Sequence, residues 1–303
     1  MKPLVSIGIP SYNCSSYILE TLESVKNQTY SPIEIIIIDD CSSDDSAEKI
    51  KKWIALNGLN NVEFLCNSHN MGLVKTCNLL LNKISGIYYS FLGSDDILLP
   101  TKIEEQVAVF EKEDHSLAVV YSDAIVINEK SEVIQESYFQ RIGSVHLPQG
   151  DIFQLLIEKN FIPALSVLIK TSTVKNIGGY DENLAFEDWD MWLCLAQKFR
   201  FHGILKSTAK YRIHSNSMMQ NDSNVIRFNR SQIAMLKKYF GKNNFIDNLV
   251  LKKIKDLSIY SYYKGDKEAS DLLFWSFRHT YSFKVFIYFL LSLCRVRLAF
   301  SGK

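Results

Sequence analysis

Two pairs of adjacent aspartates, Asp39-Asp40 and Asp95-Asp96, each close a run of apolar residues. Neighbouring carboxylates repel one another and cost stability unless something cationic neutralises them. A hard divalent cation does so, and Mg²⁺ or Mn²⁺ takes carboxylate and phosphate oxygens together. Ser94-Asp95-Asp96, set behind Tyr88-Tyr89-Ser90-Phe91-Leu92, therefore reads as a candidate cation and phosphate site. The bland alternative is a solvated turn, and the apolar run before the pair argues against it. Asp40 follows an almost pure isoleucine run, Ile33–Ile38, where a carboxylate can accept hydrogen bonds from a base or ribose edge. Ser42-Ser43-Asp44 after it also offer caps for a following helix. Pro10-Ser11-Tyr12-Asn13 ends the neighbouring run, and Tyr12 could cover a planar base, although a lone aromatic there is more often core.

A third group is Phe186-Glu187-Asp188-Trp189-Asp190-Met191-Trp192. Acids at a helix start gain about 0.3–1 kcal/mol each from the dipole, which accounts for their presence. It does not account for three of them interleaved with two tryptophans after the pliable Gly178-Gly179. A carboxylate beside large apolar rings is partly desolvated, and its pKa rises towards that of a general base. Fourth comes Tyr211-Arg212-Ile213-His214, where a neutral imidazole can ligate a metal and a guanidinium can bind phosphate in bidentate fashion. A lone histidine is more often structural.

The elements that must position these residues alternate. Strands are expected at Leu4–Ile9, Ile33–Ile38, Val62–Cys66, Ile87–Leu92 and 117–125, with helices over Tyr17–Asn27, 45–55, Gly72–Ile84 and 101–112. Continuous apolar strands between helices imply βαβ units and a mostly parallel, Rossmann-like sheet, with ligands beyond the carboxyl ends of the strands. Both acidic pairs fall at such ends. Residues 126–165 are less regular, Thr171–Ile177 reads as a helix, and Glu187–Phe199 as an amphipathic helix. Beyond about residue 222 the pattern is helical. The expected division is 1–125, which holds both acidic pairs, 126–221, which holds the carboxylate–tryptophan group, and 222–303, a helical extension.

Apolar residues are 47% and charged residues 22% of 303, enough for a sizeable core. The net charge of +1 gives no field that would recruit nucleic acid. Six scattered cysteines without a C-x-x-C pair, and no apolar signal segment after Met1-Lys2-Pro3, suggest reduced thiols and a cytoplasmic location. The stretch Phe283–Phe300 contains ten consecutive apolar or small residues, Val285–Cys294, where a bilayer span needs about twenty. No acid follows Asp271, while Arg278, Lys284, Arg295, Arg297 and Lys303 are basic. That suits a helix over 283–300 lying in a membrane interface; a packed terminal helix is the alternative.

In this order the pieces resemble the family 2 glycosyltransferases. The matching stretches are Val5–Asn13, Ile38–Asp44, Asn70-Met71-Gly72 with Asn78, Leu92–Asp96, Gly178–Asp181, Glu187–Asp190 and Tyr211–His214. Together they cover roughly residues 3–220, and their collinearity carries the resemblance. It implies the GT-A fold and an inverting, metal-dependent transfer from a UDP-sugar. Tyr12 and Asp40 would hold uracil, with Pro10, Asn13 and Ser94 beside them, and Asp95 would hold ribose. Asp96 would bind Mn²⁺ or Mg²⁺, with His214 as a further candidate ligand, and Asp188 would be the base. Glu187, Trp189, Gly179 and Arg212 would serve the acceptor side. Many relatives carry another acid where this chain has Gly93, which puts a three-carboxylate site in doubt. The implied acceptor is an undecaprenyl-diphosphate-linked glycan of a bacterial surface polysaccharide such as O-antigen. The protein would then sit peripherally on the inner face of the cell membrane.

Rival readings are a processive polysaccharide synthase, a nucleotidyltransferase and a non-catalytic nucleotide-sugar-binding scaffold. Gln197-Lys198-Phe199-Arg200-Phe201 only superficially matches a synthase Q-x-x-R-W, and no segment is long enough to span. A glycine- and lysine-rich phosphate loop is missing, and so are G-x-G-x-x-G and H-E-x-x-H. A scaffold would be expected to have lost the base or the metal acid, and both positions are filled.

Overall fold

The computed structural model describes residues 1–143, 146–215, 222–296 and 298. They form two compact units. One comprises Met1–Phe153, Phe161–Glu182 and Glu187–His214; the other comprises Gln154–Asn160, Asn183–Phe186 and the chain from Ser215 onward.

The first unit opens with β1 (Val5–Ser11), α1 (Ile18–Lys26), β2 (Ile33–Asp39), α2 (Ser46–Asn57), β3 (Val62–Cys66), α3 (Leu73–Lys83) and β4 (Tyr88–Phe91). β1 is buried along its whole length and β2 from Ile35 onward, as expected of strands covered on both faces. β1 pairs in parallel with β2 and β4, and β2 with β3. Next come β5 (Ile97–Leu98), α4 (Lys102–Phe110), β6 (Leu117–Ile127), β7 (Val133–Gln135) and α5 (Tyr138–Arg141). After α6 (Phe153–Glu158) follow β8 (Leu168–Lys170), α7 (Thr171–Asn176), α8 (Asp188–Ala196) and β9 (Arg200–Arg212).

The sheet order is β3-β2-β1-β4-β8-β6-β9-β5, with β7 on β6. The first half is parallel, as its apolar runs predict. The second half is mixed, because β8 pairs antiparallel with both β4 and β6, whereas β6 and β9 run parallel. A single core under β1, β2 and β4 gathers Ile7, Ile9, Leu22, Ile37, Trp53 and Leu92.

Two local expectations are corrected. Ser42 and Ser43 do not cap α2. Ser42 Oγ donates to Asp39, Ser43 N–H donates to Asn13, and Asp44 accepts the Ser46 N–H instead. Nor is α8 amphipathic: residues 189–193, 195 and 196 are all buried, so the helix is enclosed on every side.

In the second unit α9 (Asp222–Lys237), α10 (Asn244–Lys264), α11 (Ala269–Thr280) and α12 (Phe283–Leu293) pack in sequence. Val285 of α12 is buried against Ile259, Tyr262 and Leu273, with Tyr288 and Phe289 beside it. The opposite face, Phe283, Ile287, Leu290 and Leu293, is exposed. The expected helix over 283–300 ends at Leu293; Arg297 and residues 299–303 lie outside the described residues. Among the described residues no helix is long and apolar enough to cross a membrane.

Candidate active site

The turn after β4 is closed by Asp96 N–H donating to Gly93 O at 3.2 Å. Thr21 of α1 fixes it from below, its Oγ1 lying 3.0 Å from Ser94 O and 2.8 Å from Asp96 O. The end of β9 fixes it from the side. Arg212 N–H donates to Asp96 Oδ1 at 2.8 Å, and Arg212 Nε–H donates to Asp95 O at 2.6 Å. His214 Nε2 is 3.0 Å from Asp95 Oδ2, and its ring lies 4.8 Å from that of Tyr17. Sequence spacing of more than a hundred residues is thus spanned by one shared knot.

Arg212, a candidate contact for phosphate or acceptor by its residue type and place, has its guanidinium engaged by the protein itself. Its side chain is 1% exposed; Nη2–H donates to Glu20 at 2.6 Å, and Nη1 to Ser131 Oγ and Asn128 O. Its guanidinium also covers the Tyr17 ring at 4.7 Å. These bonds make it the internal counter-charge that shapes the acidic turn. Tyr17, Glu20 and Thr21 were missed in the sequence, although their helical spacing puts all three on one face of α1.

Burial, then the charge of Asp95, pushes the Asp96 carboxyl well above the usual range, against the pull of Arg212. A cation beside such a carboxyl would favour its charged form. Asp95 Oδ1 and Asp96 Oδ2 carry no hydrogen bond among the described residues, and both lean over Gly93. Among the described residues no three His, Cys, Asp or Glu side chains form a ready-made metal cage. Two carboxylate oxygens on one side, with the remaining ligands supplied by phosphate and water, fit Mg²⁺ or Mn²⁺ chemistry. His214 is placed to orient Asp95.

The loops after β1 and β2 are laced together. Asn13, at φ +50°, accepts the Ser43 N–H through Oδ1 at 2.8 Å, and its own N–H donates to Ser42 Oγ. Asp39 holds Ser42 by two bonds and Ser11 by a third. Asp40 is buried, accepting from Asn67 Nδ2, Met71 N–H and Gly72 N–H at 2.8 Å each. Pro10 is buried at the end of β1, whereas the Tyr12 side chain is 48% exposed over this floor. Cys14 lies beside Ser94 and Asp95, and burial, then the Asp95 charge, pushes its thiol up to about 11.

Asn78 of α3 positions the third group. Its Oδ1 accepts Tyr180 N–H, and its Nδ2 donates to Tyr180 O and Glu182, all at 2.9 Å. Gly179, at φ +81°, lets this happen, since a Cβ there would meet Asn78 Oδ1 at 2.8 Å. From this anchored turn the chain reaches Glu187, whose carboxyl burial and the neighbouring Asp188 push up to about 8. Asp188 Oδ1 accepts the Trp189 N–H at 2.6 Å, and Trp189 and Asp190 are buried. Three buried or half-buried side chains feel the charges of this group, two of them together with those of the others. Burial raises the Tyr211 hydroxyl, and Asp96, Asp95 and Asp188 all add to it. The buried Cys77 thiol is raised likewise, with Glu187 and Asp40 contributing. Tyr138, packed edge-on to Tyr211 at 5.8 Å, also feels Asp188.

Comparison with known proteins gives this site its context. The family model for glycosyl transferase family 2 matches residues 6–168. An uncharacterised glycosyltransferase of Haemophilus influenzae is 27% identical over 283 residues, which is 90% of this chain and 85% of the relative. A Rickettsia felis relative is 30% identical over 73% of this chain, which spans only 36% of that protein. The putative teichuronic acid biosynthesis glycosyltransferase TuaG of Bacillus subtilis is 28% identical, over 73% of this chain and 83% of TuaG. Among solved structures, the mannosyltransferase PcManGT of Pyrobaculum calidifontis, in complex with GDP-Man and Mn²⁺, superposes with a TM-score of 0.62. It is 15% identical over 97% of this chain and 80% of its own. S. aureus TarS 1-349 in complex with UDP-GlcNAc gives 0.56 at 18% identity, over 88% of this chain and 83% of its own. At such identities these two speak for the fold, which is GT-A. Because the family match runs over more than half of the chain, the protein belongs to glycosyl transferase family 2 and is a glycosyltransferase.

Proposed function

We propose that this enzyme moves one sugar from a UDP-sugar to a hydroxyl of a lipid-linked glycan, in a single inverting displacement that depends on Mn²⁺ or Mg²⁺. The observation that carries the reading is that the turn holding Asp95 and Asp96 is pinned by Arg212 at the end of β9, beside Tyr211, which packs edge-on to Tyr138 and is acted on by the charges of Asp96, Asp95 and Asp188. Donor-side acids and candidate base are then felt by one and the same side chain, in keeping with a displacement between adjoining donor and acceptor.

Tyr12 and Asp40 receive the base, and Asp95, held by His214, receives the ribose. Asp96, with Asp95 beside it, holds the cation, which when bound supplies positive charge against the departing diphosphate. Asp188 takes the proton from the acceptor hydroxyl, a contribution of about 10²–10⁴ in rate. The name of TuaG, a putative teichuronic acid biosynthesis glycosyltransferase, supports a surface-polysaccharide acceptor. The exposed apolar face of α12, with Lys284 and Arg278 near it in sequence, supports peripheral contact with the inner face of the membrane.

Incubating the protein with Mn²⁺ and a panel of UDP- and GDP-sugars, with and without a diphospholipid-linked acceptor, tests the donor and acceptor together. Release of UDP that rises with acceptor is the expected result; release from GDP-sugars alone would overturn the donor assignment. Asp188→Asn should keep donor binding while transfer drops at least about 10²-fold. Transfer by that variant at the parent rate would remove Asp188 from the role of base.

A further inference from the structure

The short helix α5 is anchored from inside the protein. Asp123, buried on β6, accepts the Ser137 hydroxyl and the Phe139 N–H, and Ser137 Oγ in turn accepts the Gln140 N–H. Phe139 plugs the helix into the body of the unit, 2% exposed, with the rings of Tyr121 and Phe161 around it. Tyr138 and Arg141, three residues apart, lie on one side of this mount. Tyr138 is half-buried, its ring edge-on to that of Tyr211 at 5.8 Å. Tyr211 precedes Arg212, whose N–H and Nε–H pin the acidic turn, so α5 stands one ring away from that knot.

Of the guanidinium groups in this unit, Arg200 meets Glu113 and Asp114, and Arg212 meets Glu20. Arg141 is exposed and makes no ion pair among the described residues. Burial, then the charge of Asp188, keeps the Tyr138 hydroxyl protonated, and the charge of Arg141 acts on it in the opposite sense. A guanidinium only donates hydrogen bonds, and a protonated phenol adds one more donor. Such a pair suits a group that only accepts, a carboxylate or a phosphate, better than a sugar hydroxyl, which must also donate. We propose that α5 is an acceptor-recognition element: Arg141, with the Tyr138 hydroxyl, binds an anionic group of the glycan acceptor. That anchor selects which acceptor hydroxyl reaches Asp188. Two sources of the charge share this chemistry: the carboxylate of a uronic acid residue, and the diphosphate that joins a glycan to its lipid. The inference rests on the acceptor and base reading above, but its test reads binding rather than transfer, so the two fail separately.

Affinities would be measured by calorimetry on the full chain with saturating UDP and Mn²⁺, which keep added anions off the donor side. One arm compares the methyl glycosides of glucuronic and galacturonic acid with those of glucose and galactose. The other compares farnesyl-diphospho-N-acetylglucosamine with farnesyl N-acetylglucosaminide. The parent should favour the anionic member in at least one arm by about tenfold or more, as a charge-assisted hydrogen bond allows, and that arm names the source. Arg141→Gln should erase the preference while the melting temperature and the affinity for the neutral members stay at parent values; a merely structural role would weaken both members alike. No preference in either arm, or a preference that survives Arg141→Gln, overturns the proposal and leaves the donor and base assignments standing. Transfer by Asp188→Asn at the parent rate would instead remove the base and leave this preference in place.

Discussion

Burial drives two ionisable side chains in opposite directions, and their stability signatures should differ accordingly. Glu187 is pushed up to about 8 from an ordinary 4.5. Between those values the folded chain keeps a proton that the unfolded chain has released, so stability falls as pH rises from 4.5 to about 8. Lys102 is fully buried, its Nζ reaching only Ser90 Oγ, Gln106 Oε1 and Val167 O, and it is lowered from 10.5 to about 7. Here the unfolded chain takes up its proton first, so stability falls as pH drops from 10.5 to about 7. Thermal melts across both windows should show the first slope vanish in Glu187→Gln and the second in Lys102→Met. Unchanged slopes would mean that these groups titrate normally. The paired acids were legible in the sequence, because like charges at a strand end demand an explanation. The direction of Arg212 was not: residue type does not reveal that Glu20 and Ser131 claim its guanidinium.

At the scale of elements, the decisive piece is the tether from α3 to the turn before α8. Asn78 makes three hydrogen bonds there, two of them to the Tyr180 backbone. Asn78→Ala leaves those groups unpaired and should cost about 1–3 kcal/mol in a denaturant melt. It should also lower kcat by displacing Glu187 and Asp188, while the KM for donor stays near the parent value. Asn78→Asp should be no better, since it loses both amide donors and sets a charge against Glu182. The parallel strands were readable from their apolar runs. β8 was not, because three residues squeezed between β4 and β6 leave no period to detect. The misreading of α8 has a similar root: its acids and tryptophans look like two faces, but the fold encloses both.

Over the whole molecule, α12 is apolar on two faces, and only one is used. Phe283, Ile287, Leu290 and Leu293 form the outward stripe at helical spacing. Ile287→Glu with Leu290→Glu should weaken co-sedimentation with anionic phosphatidylglycerol vesicles by about tenfold or more, given about 1.5–3 kcal/mol for each buried aliphatic side chain. Equal sedimentation of parent and variant would leave the stripe without a membrane role. Point changes suit this question better than removing the helix, which would uncover Ile259, Tyr262 and Leu273. The chain's path has a further consequence. It passes between the two units five times, and the helical unit incorporates Gln154–Asn160 and Asn183–Phe186, segments from the middle of the sequence. Lys253 holds Glu158 O, Ser231 holds Ala185 N–H, and Phe186 stacks on Phe228. No single cut therefore yields two whole bodies. A chimera that borrowed everything after His214 from a relative would inherit helices fitted to someone else's loops, and the native Asn183–Phe186 left to receive them ends one peptide bond before Glu187.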